Sequence, residues 1–390
     1  MADPNKPLIQ VTPQGLYCEA GDFYIDPWGA VDRCVISHAH SDHAQPGSRS
    51  YLTSLQGELV LRSRLEPDAA VEAVQYGETV KLNDVRVSLH PAGHILGSAQ
   101  VRIERGGEVW VLSSDYKTQS DPTCEPFELQ RCHTFITEST FGLPIFRWRP
   151  AQTVTNEIND WWRANASAGK CSVLFGYSLG KAQRILASLD QSIGPIYLHG
   201  AIERMTQCYR EAGIALPRTK YVGELPKGTK FAGSMVIAPP SAQNSAWMRQ
   251  FGSLSTAFAS GWMHIRGTRR RKSVDRGFVL SDHADWDELN SVIRATGAER
   301  ILVTHGYSAE MVQCLKESGF DAAALATQFE GELAEMQAST QTETAIEQGT
   351  AEADGFETGQ EKQDLLQDTI LNELQNQPAD TNEDVIEEKV

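Results

Sequence analysis

Three histidines and an aspartate fall within six positions, His38, His40, Asp42 and His43, in the run ISHAHSDHA of a chain with ten histidines in 390 residues. Imidazole nitrogen and carboxylate oxygen are the ligand atoms that suit Zn²⁺. His38 and His40 are two apart at the end of an extended run, so both rings can point the same way. Taken alone, this cluster could be a polar loop. It has companions, however: His94 in PAGHILGSAQ, flanked by Gly93 and Gly97, Asp115 in VLSSDYK and His305 in ILVTHGY. Each of these follows an apolar, β-branched run, and ligands gathered at strand ends are where active sites of layered proteins form. The set is too large for one tetrahedral ion. Two ions roughly 3.5–4 Å apart, bridged by a carboxylate and a hydroxide, would use all of it.

The elements that must carry these residues change in texture along the chain. Runs 23–26, 34–37, 58–61, 85–89, 100–104, 108–114 and 134–138 have the extended, β-branched character of strands separated by turns. After Arg149 and Pro150 helical spacing takes over at 153–168, where Val154, Ile158, Trp161 and Trp162 share a face. Strands at 172–175, 195–198 and 234–238 then alternate with helices at 181–189 and 201–212, a pattern that predicts a parallel α/β layer. Strand 277–280, helix 286–296 and strand 300–304 close the folded part.

Composition limits the class. The hydrophobic fraction is 41%, with 31 glycines and 17 prolines, as in an ordinary globular protein. The first residues have no basic start followed by an apolar run, and no apolar stretch approaches bilayer length, so neither a signal peptide nor a membrane span is expected. Seven cysteines, odd in number and never in a CxxC pair, fit reduced thiols of a cytoplasmic protein. The net charge is -16, but residues 331–390 hold sixteen Asp and Glu against two Lys, which leaves the body close to neutral. That tail cannot bury a core and is expected to be disordered, with one stripe, Leu366, Ile370 and Leu374, at the spacing of a short amphipathic helix.

The ordered motif set SHAHSDH, GHILGS, SSDY and THGY resembles the metallo-β-lactamase superfamily. The resemblance implies an α/β fold, the αββα sandwich, with a two-zinc site at one edge (manganese being the alternative ion). It places His38, His40 and His94 on one zinc, Asp42, His43 and His305 on the other, and Asp115 between them. Glu138 in FITEST and His283 in FVLSDHADW, with the α/β stretch between them, are similar to the β-CASP branch, the nucleases of this fold. There the residue matching Glu138 hydrogen-bonds the histidine matching His283, which would protonate a leaving oxygen. The implied catalytic set is Asp42, Glu138 and His283, with a metal-held hydroxide attacking phosphorus in line. The implied domains are a core at 1–148 and 273–330, a β-CASP insertion at 149–272 and the acidic tail at 331–390.

Within that branch, the segments TPQGLYCEAGDFYIDPWGAVDRCVISHAHSDHA and SGWMHIRGTRRRKSVDRGFVLSDHADW resemble bacterial ligase-associated DNA exonucleases. This implies trimming of DNA 3′ ends in repair, alongside an ATP-dependent DNA ligase and a helicase. An RNA-processing nuclease of the same branch is the alternative, because His305 is kept. A small-molecule metallo-hydrolase would need neither the insertion nor His283, and a non-catalytic binding module would not need the full ligand set. Arg266, Arg269, Arg270, Arg271 and Lys272 form the densest basic stretch and are the candidate nucleic-acid contact. The Gly180–Lys181 pair does not make a phosphate loop, since Ala182 breaks that pattern. His199, at a strand end in YLHGA, is a further candidate to line the cleft.

Overall fold

A computed structural model describes residues 6–327 of the chain. The acidic tail and its leucine stripe lie outside the described residues. The chain first lays down a six-stranded sheet, β1 (Gln10–Thr12), β2 (Gly15–Cys18), β3 (Phe23–Ile25), β4 (Arg33–Val35), β5 (Ser50–Ser54) and β6 (Val71–Val74), in spatial order of sequence. A short helix, α1 (Glu58–Arg62), separates β5 from β6. A second sheet begins with the antiparallel strands β7 (Thr79–Leu82), β8 (Val85–Pro91), β9 (Ala99–Arg105) and β10 (Glu108–Leu112), and β11 (Thr134–Glu138) joins β10 in parallel.

The chain then builds a third sheet. Helix α2 (Ala151–Ser167) leads into β12 (Cys171–Phe175), α3 (Lys181–Ser188), β13 (Ile196–Leu198), α4 (Gly200–Glu211), β14 (Lys220–Tyr221), β15 (Met235–Ala238), β16 (Leu254–Ala259), α5 (Arg266–Arg271) and β17 (Arg276–Phe278). All pairings in this sheet are parallel, in the order β14-β13-β15-β12-β16-β17, as the alternation of strands and helices predicts. It runs past residue 272, because β17 pairs with β16. The last elements, α6 (Trp286–Thr296), β18 (Arg300–Thr304), α7 (Ser308–Glu317) and β19 (Asp321–Ala324), return to the second sheet, where β18 lies beside β11.

Side-chain alternation shows how the layers stack. On β10, Trp110 and Leu112 enter a core shared with Phe23, Ile25, Val35 and Leu52 of the first sheet. Val109 and Val111 point the other way, with Phe135, Ile301 and Val303, onto Leu289 and Ile293 of α6 and Met311 of α7. The outer face of the first sheet, through Cys34 and Tyr51, packs with Val60 and Leu61 of α1 and with Met205 and Tyr209 of α4. The two sheets are therefore sandwiched between helical layers, and one of those layers is borrowed from the third-sheet region. Within that region Leu174 of β12 faces α2 and α3, while Val173 and Phe175 face Phe251 and Met263.

One expected strand is a helix. Residues 58–61 form α1, where Glu58 and Arg62 pair at 2.8 Å across one turn and Ser54 accepts a hydrogen bond from Gly57 to start the turn. A four-residue apolar run carries no period that separates strand from helix, and this stretch has no neighbouring strand to pair with. Among the described residues no helix is long and apolar enough to cross a membrane.

Candidate metal centre and active site

His38, His40, His94 and Asp115 converge at the ends of β4, β8 and β10. His38 Nε2 and His94 Nε2 each lie 3.1 Å from His40 Nδ1, and Asp115 Oδ2 lies 3.5 Å from His38 Nε2 and 3.8 Å from His94 Nε2. Ligand atoms of a tetrahedral site with bonds of about 2.0–2.1 Å stand about 3.3–3.4 Å apart, so these spacings suit a single ion. A second group shares the same aspartate. His43 Nε2 lies 3.5 Å from both Asp42 Oδ2 and Asp115 Oδ2, and His305 Nδ1 lies 3.9 Å from Asp115 Oδ1.

The outward nitrogens explain why the inward ones are free to bind. His43 Nδ1 donates to Asp26 Oδ2 at 2.8 Å and His94 Nδ1 to the Asp282 carbonyl at 2.9 Å. His40 Nε2 donates to the Leu179 carbonyl at 3.2 Å, and His38 Nδ1 lies 3.1 and 3.2 Å from the hydroxyls of Ser37 and Ser114. The carbonyls behind His40 and His94 can only accept, so each of these rings carries its proton on the outward nitrogen and presents a lone pair to the centre. Burial pushes the imidazolium forms of His38, His40 and His94 down, so these rings are neutral. Burial alone would raise Asp115, but His43, His283 and His305 outweigh it and hold the carboxyl well below its usual range. His43 is pushed down by burial and up, with the larger net effect, by Asp42, Asp115 and Asp26.

The lone pairs of His40 Nδ1 and His94 Nε2, facing each other at 3.1 Å beside an ionised carboxylate, repel unless a cation lies between them. Among the described residues, His43 Nε2 and Asp115 Oδ1 are moreover buried without a hydrogen-bond partner. The donor set fits a metal ion. Backbone strain gathers at the same place: Asp26, Ser114 and His305 adopt φ of 44°, 53° and 57°, a region disfavoured for residues with a side chain. Gly93, at φ 73°, sits where a Cβ would be 2.2 Å from the Lys117 carbonyl, which is why glycine precedes His94.

No family model matches the chain. A protein named probable DNA ligase in Opitutus terrae is 35% identical over 313 residues, 80% of this chain and 30% of that protein. The endoribonuclease YSH1 of Yarrowia lipolytica is 33% identical over 201 residues, 41% of this chain and 23% of that protein. The chain thus spans less than a third of either relative. A crystal structure of a protein of unknown function from Enterococcus faecalis shares the fold, with a TM-score of 0.52 at 14% identity over 77% of this chain and 79% of that one. The chain belongs to the β-CASP branch of the metallo-β-lactamase superfamily.

Beside the centre of this β-CASP protein, His283 Nδ1 and Glu138 Oε2 are 2.8 Å apart and both side chains are buried. The other Glu138 oxygen accepts the Tyr116 amide at 2.8 Å, so the carboxylate cannot swing away. The loop bearing His283 is pinned downstream by the α6 cap, in which Asp285 accepts the Glu288 amide at 2.9 Å and Glu288 accepts the Asp285 amide at 3.0 Å. The ring of His283 lies 4.6 Å from that of His94, tilted 57° to it, and lines a cavity of about 480 Å³ over the centre, together with His40, Asp42 and Asp115.

The basic stretch is elsewhere. Arg266, Arg269, Arg270 and Arg271 are exposed on or beside α5, and none of them lines that cavity. Lys272 does not share their face: it is buried, its ammonium 5.2 Å over the Phe258 ring. His199 caps α4 through its Nδ1, which accepts the Ala201 amide at 3.2 Å. Sequence reasoning passed over Asp26 and Asp282, which orient His43 and His94. Asp26 carries the same signal as the other ligands, a carboxylate at the end of a strand, in FYID. The carbonyl of Asp282 carries none, because any residue supplies one.

Proposed function

We propose that the chain is a metal-dependent phosphodiesterase that trims DNA from the 3′ end, holding two zinc (or manganese) ions. His38, His40 and His94 would hold one ion, Asp42, His43 and His305 the other, with Asp115 shared. The observation that carries this reading is the convergence of inward ring nitrogens whose outward partners are already bonded. Divalent ions held there supply Lewis acidity toward phosphoryl oxygens and acidify water near neutral pH. His283, its Nδ1 proton held by Glu138, turns Nε2 toward the cavity to protonate the leaving sugar oxygen. Asp42, at the cavity wall, orients the attacking water.

DNA is favoured by the relative named as a probable DNA ligase, which carries this segment within under a third of its length. The remainder of that protein leaves room for a ligase on the same polypeptide. Action beside an ATP-dependent DNA ligase, and with a helicase, in the cytoplasm is the setting proposed. RNA is the second reading, supported by the relative named endoribonuclease and by the retained His305. Matched DNA and RNA oligonucleotides labelled at either end, with zinc or manganese supplied, separate the two. A ladder shortening from the 3′ end of DNA and abolished by chelator is expected. Internal cuts or a preference for RNA move the reading to the alternative, and turnover in chelator-stripped protein removes the metal.

A further inference from the structure

Three side chains that line the cavity, Arg64, Tyr177 and Arg204, belong to no motif of the centre, and they come from distant parts of the chain. Arg64 follows α1, on the outer layer of the first sheet, whereas Arg204 lies on α4, within the third-sheet region. Ala201, Arg204 and Met205 occupy one face of α4 at the i, i+3, i+4 spacing, and all three line the cavity. Met205 also packs with Val60 and Leu61 of α1, so α4 and the chain just after α1 bring the two arginines to the same cavity. Tyr177 lines the same space. Lys181, itself fully buried, stands 4.6 Å over the Tyr177 ring and holds it from the protein side.

We infer that Arg64 and Arg204 clamp the phosphate one linkage away from the scissile bond, and that Tyr177 is the platform on which the base between them stacks. This rests on the phosphodiesterase reading and deepens it. On the phosphodiesterase reading the candidate metal ligands and His283 serve the reacting phosphate alone, which leaves these three lining side chains for its neighbour. Guanidinium groups match phosphate oxygens in a two-point, charge-assisted fashion that a solvated lysine does not. An aromatic face takes any base, so the subsite grips a strand without reading its sequence. Its two halves lie on elements 140 residues apart in sequence, so a strand bound there ties the two regions together.

The test compares an oligonucleotide with bis(4-nitrophenyl) phosphate, a diester with no neighbouring linkage. In the Arg64→Ala/Arg204→Ala protein, selectivity for the oligonucleotide, taken as the ratio of kcat/KM values, should fall about ten- to a hundred-fold. The loss should appear in KM, and Arg204→Lys should recover part of it. A neutral methylphosphonate at the linkage next to the scissile bond should cost the unmodified protein a similar factor and the double variant little more. Tyr177→Leu should raise KM for the oligonucleotide, and Tyr177→Phe should restore it. An unchanged selectivity ratio in the double variant, or indifference of the unmodified protein to the methylphosphonate, overturns the clamp while leaving the phosphodiesterase in place. If the unmodified protein with metal supplied cleaves neither substrate, the reading of the centre fails and the clamp with it.

Discussion

His283 can pass a proton only through Nε2, because Nδ1 is engaged by Glu138 at 2.8 Å inside the protein. Replacing it should therefore remove proton delivery without loosening the ligands. His283→Ala is expected to lower turnover by about 10²–10⁴-fold, with metal content by atomic absorption unchanged, and Glu138→Gln to lower it less. Loss of metal together with activity would assign the histidine to the centre itself. A second residue works one bond further out. Asp26 holds His43 through Nδ1 and also accepts the Ser37 amide at 2.8 Å, so Asp26→Ala should weaken metal affinity by about 10–100-fold in a competition titration with a chromogenic chelator. Affinity equal to that of the unmodified protein would show that the ring is held without the carboxylate. At this scale the sequence was informative because a polar residue that ends an apolar strand stands out, as His38, Asp115 and His305 do. The residues that orient them through backbone carbonyls, Leu179 and Asp282, were not legible, since a carbonyl leaves no mark on residue type.

Helix α3 meets the loops that follow β10 and β17 through charge rather than oil. Lys181 Nζ lies 2.9 Å from Asp282 Oδ1 with both side chains buried, and Arg184 pairs with buried Asp121 while donating to the Ser281 carbonyl at 2.7 Å. These contacts fix the loop 281–283, which supplies both the carbonyl behind His94 and the ring of His283. Removing one partner of a buried pair strands the other, at a cost of about 3–5 kcal/mol. Lys181→Met should accordingly lower the urea midpoint sharply, and Lys181→Met/Asp282→Leu should regain part of the loss. Equal midpoints for the Lys181→Met and unmodified proteins would show that water reaches the pair. The sequence pointed to Gly180–Lys181 only as a failed phosphate loop. Its actual use follows from packing, since a Cβ on Gly180 would stand 2.2 Å from Ile95 Cγ2 and keep α3 off the core. The longer elements were legible from their period, α6 to the residue. The strand expected at 58–61 was not, because four apolar residues suit either backbone until the fold supplies or withholds a neighbour.

At the scale of the whole chain, the cleft is the feature that local pattern could not disclose. Arg64, Tyr177 and Arg204 share a cavity with Asp42 and His283, yet they lie in segments with no common motif. The charge distribution, in contrast, can be read directly: a nearly neutral body carries a strongly acidic segment, 331–390, in a chain of net charge -16. For the nucleic-acid substrate proposed, that charge should act as a repulsion that reaches about one Debye length, roughly 10 Å at 0.1 M salt and 30 Å at 0.01 M. Deleting residues from 338 onward should leave kcat and the melting temperature unchanged, because the three sheets and the candidate ligands described all lie within residues 6–327. It should lower KM for an oligonucleotide at low salt, and the difference should vanish as salt is raised. Both arms are read from initial rates of the full and shortened chains across a salt series. A KM that does not respond to the deletion at low salt would mean that the acidic segment lies outside the substrate's electrostatic reach. A lower melting temperature would mean that it contributes to the folded body.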